Sequence, residues 1–588
     1  MNALSYLFSF RNNVKSPILG NRTFRLLLII ILGLVLRLWG IKGGLPFFLA
    51  DEDVYVVGAL RVGQGEWNPG DFNNPSLMIY INFFAFGFLF LIGNLIGIFS
   101  SLTDFKNAFY QDPTLFYLTA RLVMVGFGGL SIFVLYGLAR RVLNEKVAEL
   151  AALILAIYPA HIVASQNAKC DVAMVFLVLL SLLYLIRYLE YGTERLFLIS
   201  CFICGLAIST KYTAAPLSMA CILAFFIQSF STRPKIYSTL LAGVLLILFG
   251  FFIATPYSLL DYKKFFFDIN FLLAKNRTQW FGMEGAQIGF LEYTFKVFPM
   301  SAGWPLYLCT LCGILLTLMM LNRKKIILYS FPLLLYAALA QTRHVAGGYA
   351  LPLYPFFCIL SAQAILRLNE HVRSAIIKSI LIIFIFFNPI MLDIVSGFNK
   401  STKDTRIIAK DWIERHISQD KRIASEVSLR VIPNSERISE IMGRIKDPKR
   451  GGHFRYYAEN ISGKRYYFYE FPLFECPDPA SRKVFFTDED ERKCTKPSSV
   501  DYDFIRVKRN YDFMILSSHV YHRFRALPSL YPKQNDFYDE IEKQAELVMT
   551  FNNNLSDNNQ NSSFSDHFKH FFGFIDNQGF TINIYKLN

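Results

Sequence analysis

Charge is what this chain is short of. Only 18% of its 588 residues are Asp, Glu, Lys or Arg, while 53% are hydrophobic. A soluble globular chain runs nearer a quarter charged, so the deficit points to lipid-facing surface. The shortage is uneven: residues 24–396 hold long apolar runs, whereas 397–588 are polar, charged and rich in Tyr and Asn. That shift places a domain boundary near Asn399. Nucleotide-binding signatures are missing as well. There is no G-x-x-x-x-G-K-[ST] loop and no G-x-G-x-x-G opening a helix after a strand. Nor does a small-residue cleavage site follow the first apolar run, which is preceded by Arg11, Lys15, Arg22 and Arg25. It reads as a retained anchor.

The formal net charge is +15, yet much of the basic excess lies in short loops between apolar runs. That is the pattern of cytoplasmic loops in a membrane protein, and it argues against a nucleic-acid partner. Of the nine cysteines, seven lie in apolar stretches, and Cys201/Cys204 and Cys309/Cys312 both read C-x-x-C. In the threading below the two pairs differ in depth by roughly 10 Å or more, too far to share one ion. They read as small buried hydrophobes. Cys476 and Cys494 lie in the polar region and are suited to a disulfide if it faces an oxidising compartment.

About 20 apolar residues span the ~30 Å hydrocarbon core. Eleven stretches fit: 24–41, 118–138, 148–165, 172–189, 196–210, 212–230, 237–255, 303–321, 326–341, 349–365 and 376–396. A twelfth, 77–100, is also long enough. Charge decides against its crossing. With 77–100 in the outer interface and a cytoplasmic N-terminus (1–23), nearly every short basic loop falls inside: Arg140, Arg141 and Lys146; Arg187 and Arg195; Arg233 and Lys235; Arg323, Lys324 and Lys325; Arg367, Arg373 and Lys378. The expected architecture is an all-α polytopic membrane domain over 24–396, with about eleven transmembrane helices plus interfacial helices. An extracytoplasmic α/β domain follows over 397–588. The expected location is the plasma (inner) membrane. Two long outer loops result, 42–117 and 256–302, with short outer turns at 166–171, around Lys211 and at 342–348.

Chemistry is sought on those loops, because a rigid scaffold positions functional groups there. Asp51, Glu52 and Asp53 are three adjacent carboxylates at a membrane surface. Mutual repulsion in a low dielectric suits such a group to act as a general base or to bind a cation. A plainer role is available: Asp51 as N-cap of a helix over 52–62, with Glu52 and Asp53 complementing its dipole. Both can hold at once. Asp171 opens a membrane span, either as a functional acid or as its N-cap. Lys211, at an outer turn, can bind a lipid phosphate or snorkel to the interface. Arg343 can contact phosphate or anchor the interface. Arg37, late in the first span, needs an acid or backbone carbonyls as partners. His161 reads as a satisfied helix histidine. The D-x-D of the first outer loop, Asp51-x-Asp53, lies outside, where nucleotide sugars are not normally available.

These segments resemble glycosyltransferase family 39, the group of protein O-mannosyltransferases and bacterial lipid A aminoarabinose transferases. The likeness rests on Asp51-Glu52-x-x-Tyr55, Asn68-Pro69 and Phe72-Asn73-x-Pro75 in the first outer loop. It continues through Ala120-Arg121, Tyr136-Gly137-x-x-Arg140-Arg141, Pro159-x-His161 and Ser165-x-x-Ala168-x-x-Asp171. Gly205-Leu206-Ala207-x-Ser209-Thr210-Lys211-Tyr212, Arg343 and Tyr349-Ala350-Leu351-Pro352-x-x-Pro355 complete it. Asp53 is an extra acid, Asn74 stands where an aromatic or proline is usual, and the Arg343–Tyr349 spacing departs from the pattern.

The resemblance implies a GT-C membrane fold and a polyprenyl-phosphate sugar donor. It implies catalysis by Asp51, with Glu52 beside it, and substrate binding by Tyr55, Asp171, Lys211 and Arg343. Asp51 would take a proton from an acceptor hydroxyl on a lipid, glycan or protein, and one displacement would invert the anomeric centre. A divalent cation held by Asp51 and Asp171 is a possible cofactor. The rival class is a transporter or lipid flippase, whose internal repeats and midplane sites are not evident here.

In the polar region, 404–417 reads as a helix with Ile408 and Trp412 on one face, 537–550 as a second helix, and 421–426, 513–517 and 580–586 as strands. An α/β unit of about 190 residues follows. It shows no catalytic constellation.

Overall fold

The computed structural model describes residues 21–45, 51–229, 236–277, 287–426, 467–471, 474–475, 496–497, 502–551 and 581–587. Residues 1–20, the Cys476/Cys494 pairing and the polar loop 552–563 lie outside the described residues. Helices occupy all eleven stretches expected to cross, from Asn21–Leu38 to Ala375–Ser401. By length and apolar character, six described helices suffice to cross a membrane. The number rises to eight if two bent pairs, Glu145–Ala156 with Pro159–Ser165 and Gly289–Ala302 with Trp304–Leu318, each make one span. Glu194–Ile208 and Leu217–Ser229, at 15 and 13 residues, fall short of the usual ~20. The helix ends early there, at Ser209, and the chain passes Lys211 into a 3-10 turn at Tyr212–Ala214.

Ion pairs and hydrogen bonds sort the helix termini into two ends. At one, Arg25 meets Glu149, and Arg141 and Lys324 both meet Glu190. At the other, Arg121 reaches the carbonyls of Ile41 and Gly43, Ser209 meets Thr255, and Lys400 Nζ donates to Gln166 Oε1. Helix Asn21–Leu38 therefore finishes at the end where Thr114–Val142 starts. A single crossing by Leu77–Leu95 between them would put those termini at opposite ends. Instead the Leu77 amide donates to the Ser209 carbonyl, and Phe86 packs edge-on against Phe116 at the start of Thr114–Val142. Leu77–Leu95 is long and apolar enough to cross, but both its termini stay at one end of the bundle.

The buried arginine of the first helix has a definite task. Pro159 has no N–H, so the helix breaks after Ala156, with a 58° bend between its halves. The Leu155 and Ala156 carbonyls then lose their regular partners. Arg37 donates to both, at 3.1 and 3.0 Å, and also to Gly33 O, Ser165 Oγ and His161 Nδ1. Arginine has no acceptor, so His161 accepts on Nδ1 and is neutral, with its proton on Nε2. Of the two partners expected for Arg37, the carbonyls take its hydrogen bonds, and the acid Asp393 is near enough to act on its charge. Gly128 makes room, since a Cβ there would lie 2.8 Å from Arg37 Nε. Farther along, Gly205 lets two helices touch, because its Cβ would fall 2.1 Å from the Ile247 carbonyl.

Beyond Ala375–Ser401 lies a five-stranded sheet: β1 (Arg422–Ser425), β2 (Tyr467–Glu470), β5 (Phe513–Ser517), β6 (Glu546–Phe551) and β7 (Ile582–Lys586), in the order β2-β1-β5-β7-β6. The short β3 (Phe474–Glu475) and β4 (Lys496–Pro497) form a separate pair. β2, β1 and β5 are parallel, while β7 and β6 are antiparallel additions. The expected strands thus appear as β1, β5 and β7. The expected helix 537–550 is instead Pro532–Gln544 followed by β6, whose alternating Leu547, Met549 and Phe551 pair with β7. Helix Thr405–His416 buries Ala409 and Ile413 rather than Ile408, which is 38% exposed; Trp412 packs against Phe551.

At the end of β1, Glu426 is fully buried and accepts from the Ser517 amide and the Tyr538 hydroxyl, at 2.8 and 2.5 Å. Burial outweighs these hydrogen bonds and pushes its carboxyl from the ordinary 4.5 up to about 8. The folded domain then holds a proton that the unfolded chain gives up between those values, so stability falls as pH rises through them and levels off above. Pulse proteolysis of the full-length protein in urea should give a lower midpoint for this domain at pH ~8 than at pH ~5, and Glu426→Gln should flatten the slope. A native midpoint independent of pH would refute the assignment.

Candidate functional site

The first outer loop re-enters structure at Asp51, whose φ of 71° is the only positive value among the described non-glycine residues. Aspartate tolerates this left-handed conformation better than most, at some cost. Helix Glu52–Gly63 follows, with Glu52, Tyr55, Val56, Ala59 and Val62 on its buried face. The turn sends consecutive carboxylates in opposite directions. Asp51 stands at the N-cap position but makes no capping bond; its side chain is 68% exposed and meets Lys169 Nζ at 3.2 Å. Glu52 is fully enclosed. Its oxygens take a two-pronged contact from Arg121, at 2.8 and 2.7 Å, and Oε1 also accepts the Ala168 amide.

Asp171 and Lys211 form the second charged pair, Nζ to Oδ1 at 2.5 Å. Asp171 is the first residue of Asp171–Tyr191, and the N-cap is Cys170. A carboxylate there suits the helix dipole, but its bond is to Lys211. The Lys211 ammonium also lies 5.0 Å from the Tyr349 ring centroid, a cation–π contact. Its side chain turns inward to Asp171 instead of outward to the interface. Beneath, the Tyr55 hydroxyl donates to Cys170 Sγ at 2.9 Å, so Tyr55 supports the floor. Burial works against the charges of Lys169 and Lys211, yet the neighbouring carboxylates outweigh it and hold both above the ordinary lysine range. Lys169 feels Asp51, Asp171 and Glu52 together.

The structure therefore gathers Asp51, Asp171, Lys211 and Tyr349 at one end of the bundle, with Glu52 and Tyr55 below. Arg343 is exposed and has no recorded partner among the described residues; the following His344 packs against Tyr349 instead. Lys169 is the participant that sequence reasoning passed over. The available signal was its place in the short turn 166–171, two residues before Asp171. The wall of the site is braced by the first outer loop: the Phe72 amide donates to Asp268, the Tyr212 hydroxyl to the Phe72 carbonyl, and Asn68 to Asp261. Among the described residues, no three His, Cys, Asp or Glu side chains are grouped to hold a metal.

Residues 117–257 match the family model of dolichyl-phosphate-mannose-protein mannosyltransferases. Over that segment, about a quarter of its length, the chain is similar to these glycosyltransferases. The matched segment carries Arg121, Lys169, Asp171 and Lys211, and Asp51 lies ahead of it. No curated protein matches the sequence. Among solved structures, ArnT from Cupriavidus metallidurans bound to undecaprenyl phosphate is 13% identical, over 86% of this chain and 95% of that one, with a TM-score of 0.49. Archaeoglobus fulgidus oligosaccharyltransferase AglB, in complex with an inhibitory peptide and a dolichol-phosphate, is 11% identical over 90% and 73%, TM-score 0.48. The S. cerevisiae protein O-mannosyltransferase Pmt1-Pmt2 complex bound to the sugar donor is 18% identical over 42% and 34%, TM-score 0.32. At TM-scores below 0.5, the site rests on this chain's own residues.

Removing one partner of a buried ion pair strands the other. Arg121→Met should destabilise the protein by about 3–5 kcal/mol, read as a lower melting temperature, and the double variant Arg121→Met with Glu52→Gln should recover much of the loss. No recovery in the double variant would show that Glu52 is not what Arg121 neutralises.

Proposed function

We propose that the chain transfers a sugar from a polyprenyl-phosphate-linked donor to an acceptor hydroxyl at the non-cytoplasmic membrane surface, with Asp51 as general base and inversion at the anomeric carbon. The observation that carries this reading is the meeting, at one end of the bundle, of an exposed and strained carboxylate with a second acid and two lysines. The opposite end collects Arg25, Arg140, Arg141 and Lys324, and the positive-inside rule makes that end cytoplasmic.

Of the two carboxylates proposed for catalysis, the geometry favours Asp51. Glu52 already serves Arg121 and a backbone amide and is sealed from solvent, so its role is to fix the loop. Backbone strain at functional positions is maintained where surrounding structure enforces it, and the Glu52–Arg121 pair immediately behind Asp51 does so. Lys211 is the group to receive the donor phosphate. As the glycosidic bond breaks, negative charge builds on the departing phosphate, and an ammonium held in a dry site stabilises it more strongly than water would. The family description names a dolichyl-phosphate mannose donor, in keeping with the lack of nucleotide motifs. Lipid, glycan or protein hydroxyls remain the acceptor classes, and acceptor recognition is the role proposed for the sheet domain.

Purified protein in lipid nanodiscs, given polyprenyl-phosphate sugars, should release free polyprenyl phosphate. Asp51→Asn should lower that rate by about 10²–10⁴-fold with an unchanged melting temperature. Lys211→Gln should weaken donor use as well. Full turnover by Asp51→Asn would move the base to Glu52 or Asp53.

A further inference from the structure

The divalent cation that the family resemblance allows between Asp51 and Asp171 does not fit the side chains found there. Each carboxylate already carries a lysine: Lys169 Nζ lies 3.2 Å from Asp51 Oδ2, and Lys211 Nζ lies 2.5 Å from Asp171 Oδ1. A bridging ion would sit beside two ammonium groups, whose repulsion it would feel with doubled charge. It would also find few further protein oxygens and would depend on water or substrate for the rest. Magnesium and calcium take six or more oxygens. Glu52 is committed to Arg121 and the Ala168 amide, and Tyr55 is turned to Cys170.

We propose that Lys169 is a tethered replacement for that cation: its ammonium group holds the Asp51 carboxylate in place and supplies, between the two aspartates, the positive charge a metal would otherwise bring. The arrangement has a structural logic. Lys169 sits on the turn 166–170, which Glu52 anchors through the Ala168 amide and Lys400 anchors through Gln166. The cation is thus covalently part of a braced loop, and its position relative to Asp51 is set by the fold instead of by ion concentration. Lys169 is a positioning residue acting through Asp51. The consequence for turnover rests on the function proposed above, whereas the exchange of ammonium for metal does not.

The test uses full-length protein in nanodiscs with Mn²⁺ as probe, followed by electron paramagnetic resonance. Wild type and Lys169→Arg should show no Mn²⁺ site that depends on Asp51. Lys169→Ala and Lys169→Gln, run in parallel so that one misfolded variant does not decide, should bind Mn²⁺ at least about tenfold more tightly than wild type. Adding Asp51→Asn to either should abolish the gain. An Asp51-dependent Mn²⁺ site in wild type, no gain in the uncharged variants, or a gain that survives Asp51→Asn would each overturn the proposal. In the transfer assay, wild type should be indifferent to EDTA, and Mn²⁺ should restore part of the activity that Lys169→Ala loses. A wild type that needs added metal would overturn it too. Absence of transfer from every polyprenyl-phosphate sugar would instead sink the proposed function and leave the Mn²⁺ measurement to judge Lys169.

Discussion

A carboxylate enclosed among apolar helices keeps its charge only if an opposite charge and enough hydrogen-bond donors surround it, and the Glu52–Arg121 pair meets that condition on every side. Arg121 spends its guanidinium on both Glu52 oxygens and on the Ile41 and Gly43 carbonyls. Glu52 adds the Ala168 amide. One buried ion pair thus ties together the exit of the first helix, the start of Glu52–Gly63, the 29-residue Thr114–Val142 helix and the turn that carries Lys169 and Asp171. Burying charge in this way is costly unless the geometry is complete. What it gives the molecule is register: Asp51 has its place because its neighbour cannot move.

The deeper arginine works by the same rule on backbone instead of side chain. Pro159 interrupts a helix within the apolar region, where orphaned carbonyls are expensive. Arg37 satisfies them and in doing so fixes His161 and Ser165 below the acidic turn. Lys400, from the last bundle helix, reaches the same turn through Gln166, and Gln166 in its turn donates to the Trp39 carbonyl. Three early segments and one late one are therefore fastened at a single place. The exposed charges stand on that fastening: Asp51 with Lys169, Asp171 with Lys211.

Much of the membrane fold was legible because lipid imposes strong conditions on sequence. Long apolar runs and basic loops give helix positions and their alternation, and the ion pairs Arg25–Glu149 and Lys324–Glu190 agree with the grouping that loop charge implies. Helix lengths were less legible. Glu194–Ile208 and Leu217–Ser229 stop short of a full span: the turn expected around Lys211 runs from Ser209 through the 3-10 turn Tyr212–Ala214, and nothing in an apolar run announces that length. In the sheet domain, Glu546–Phe551 has a strand's alternation but lies beside a helix, and only its partner β7 makes it a strand. The face of Thr405–His416 is likewise set by its partner: Ala409 and Ile413, four residues apart, pack with Ile423, Ile515, Ile582 and Ile584, which leaves Ile408 outside.

The sequence by itself determined that charge would be scarce in 24–396, that basic loops would fall on one side, and that acids at Asp51, Glu52 and Asp171 and a lysine at Lys211 would lie on the other. Those are consequences of composition and of the cost of placing charge in hydrocarbon. Tertiary structure alone decided which acid is sealed and which is open. Glu52 and Asp51 are adjacent and chemically alike, and the distinction arises because a left-handed turn points one toward Arg121, 69 residues away, and the other toward Lys169. The turn 166–171 puts Lys169 near Asp171 in sequence, but pairing between residues as distant as Asp51 and Lys169 leaves no local pattern, so that contact was decided only by the fold.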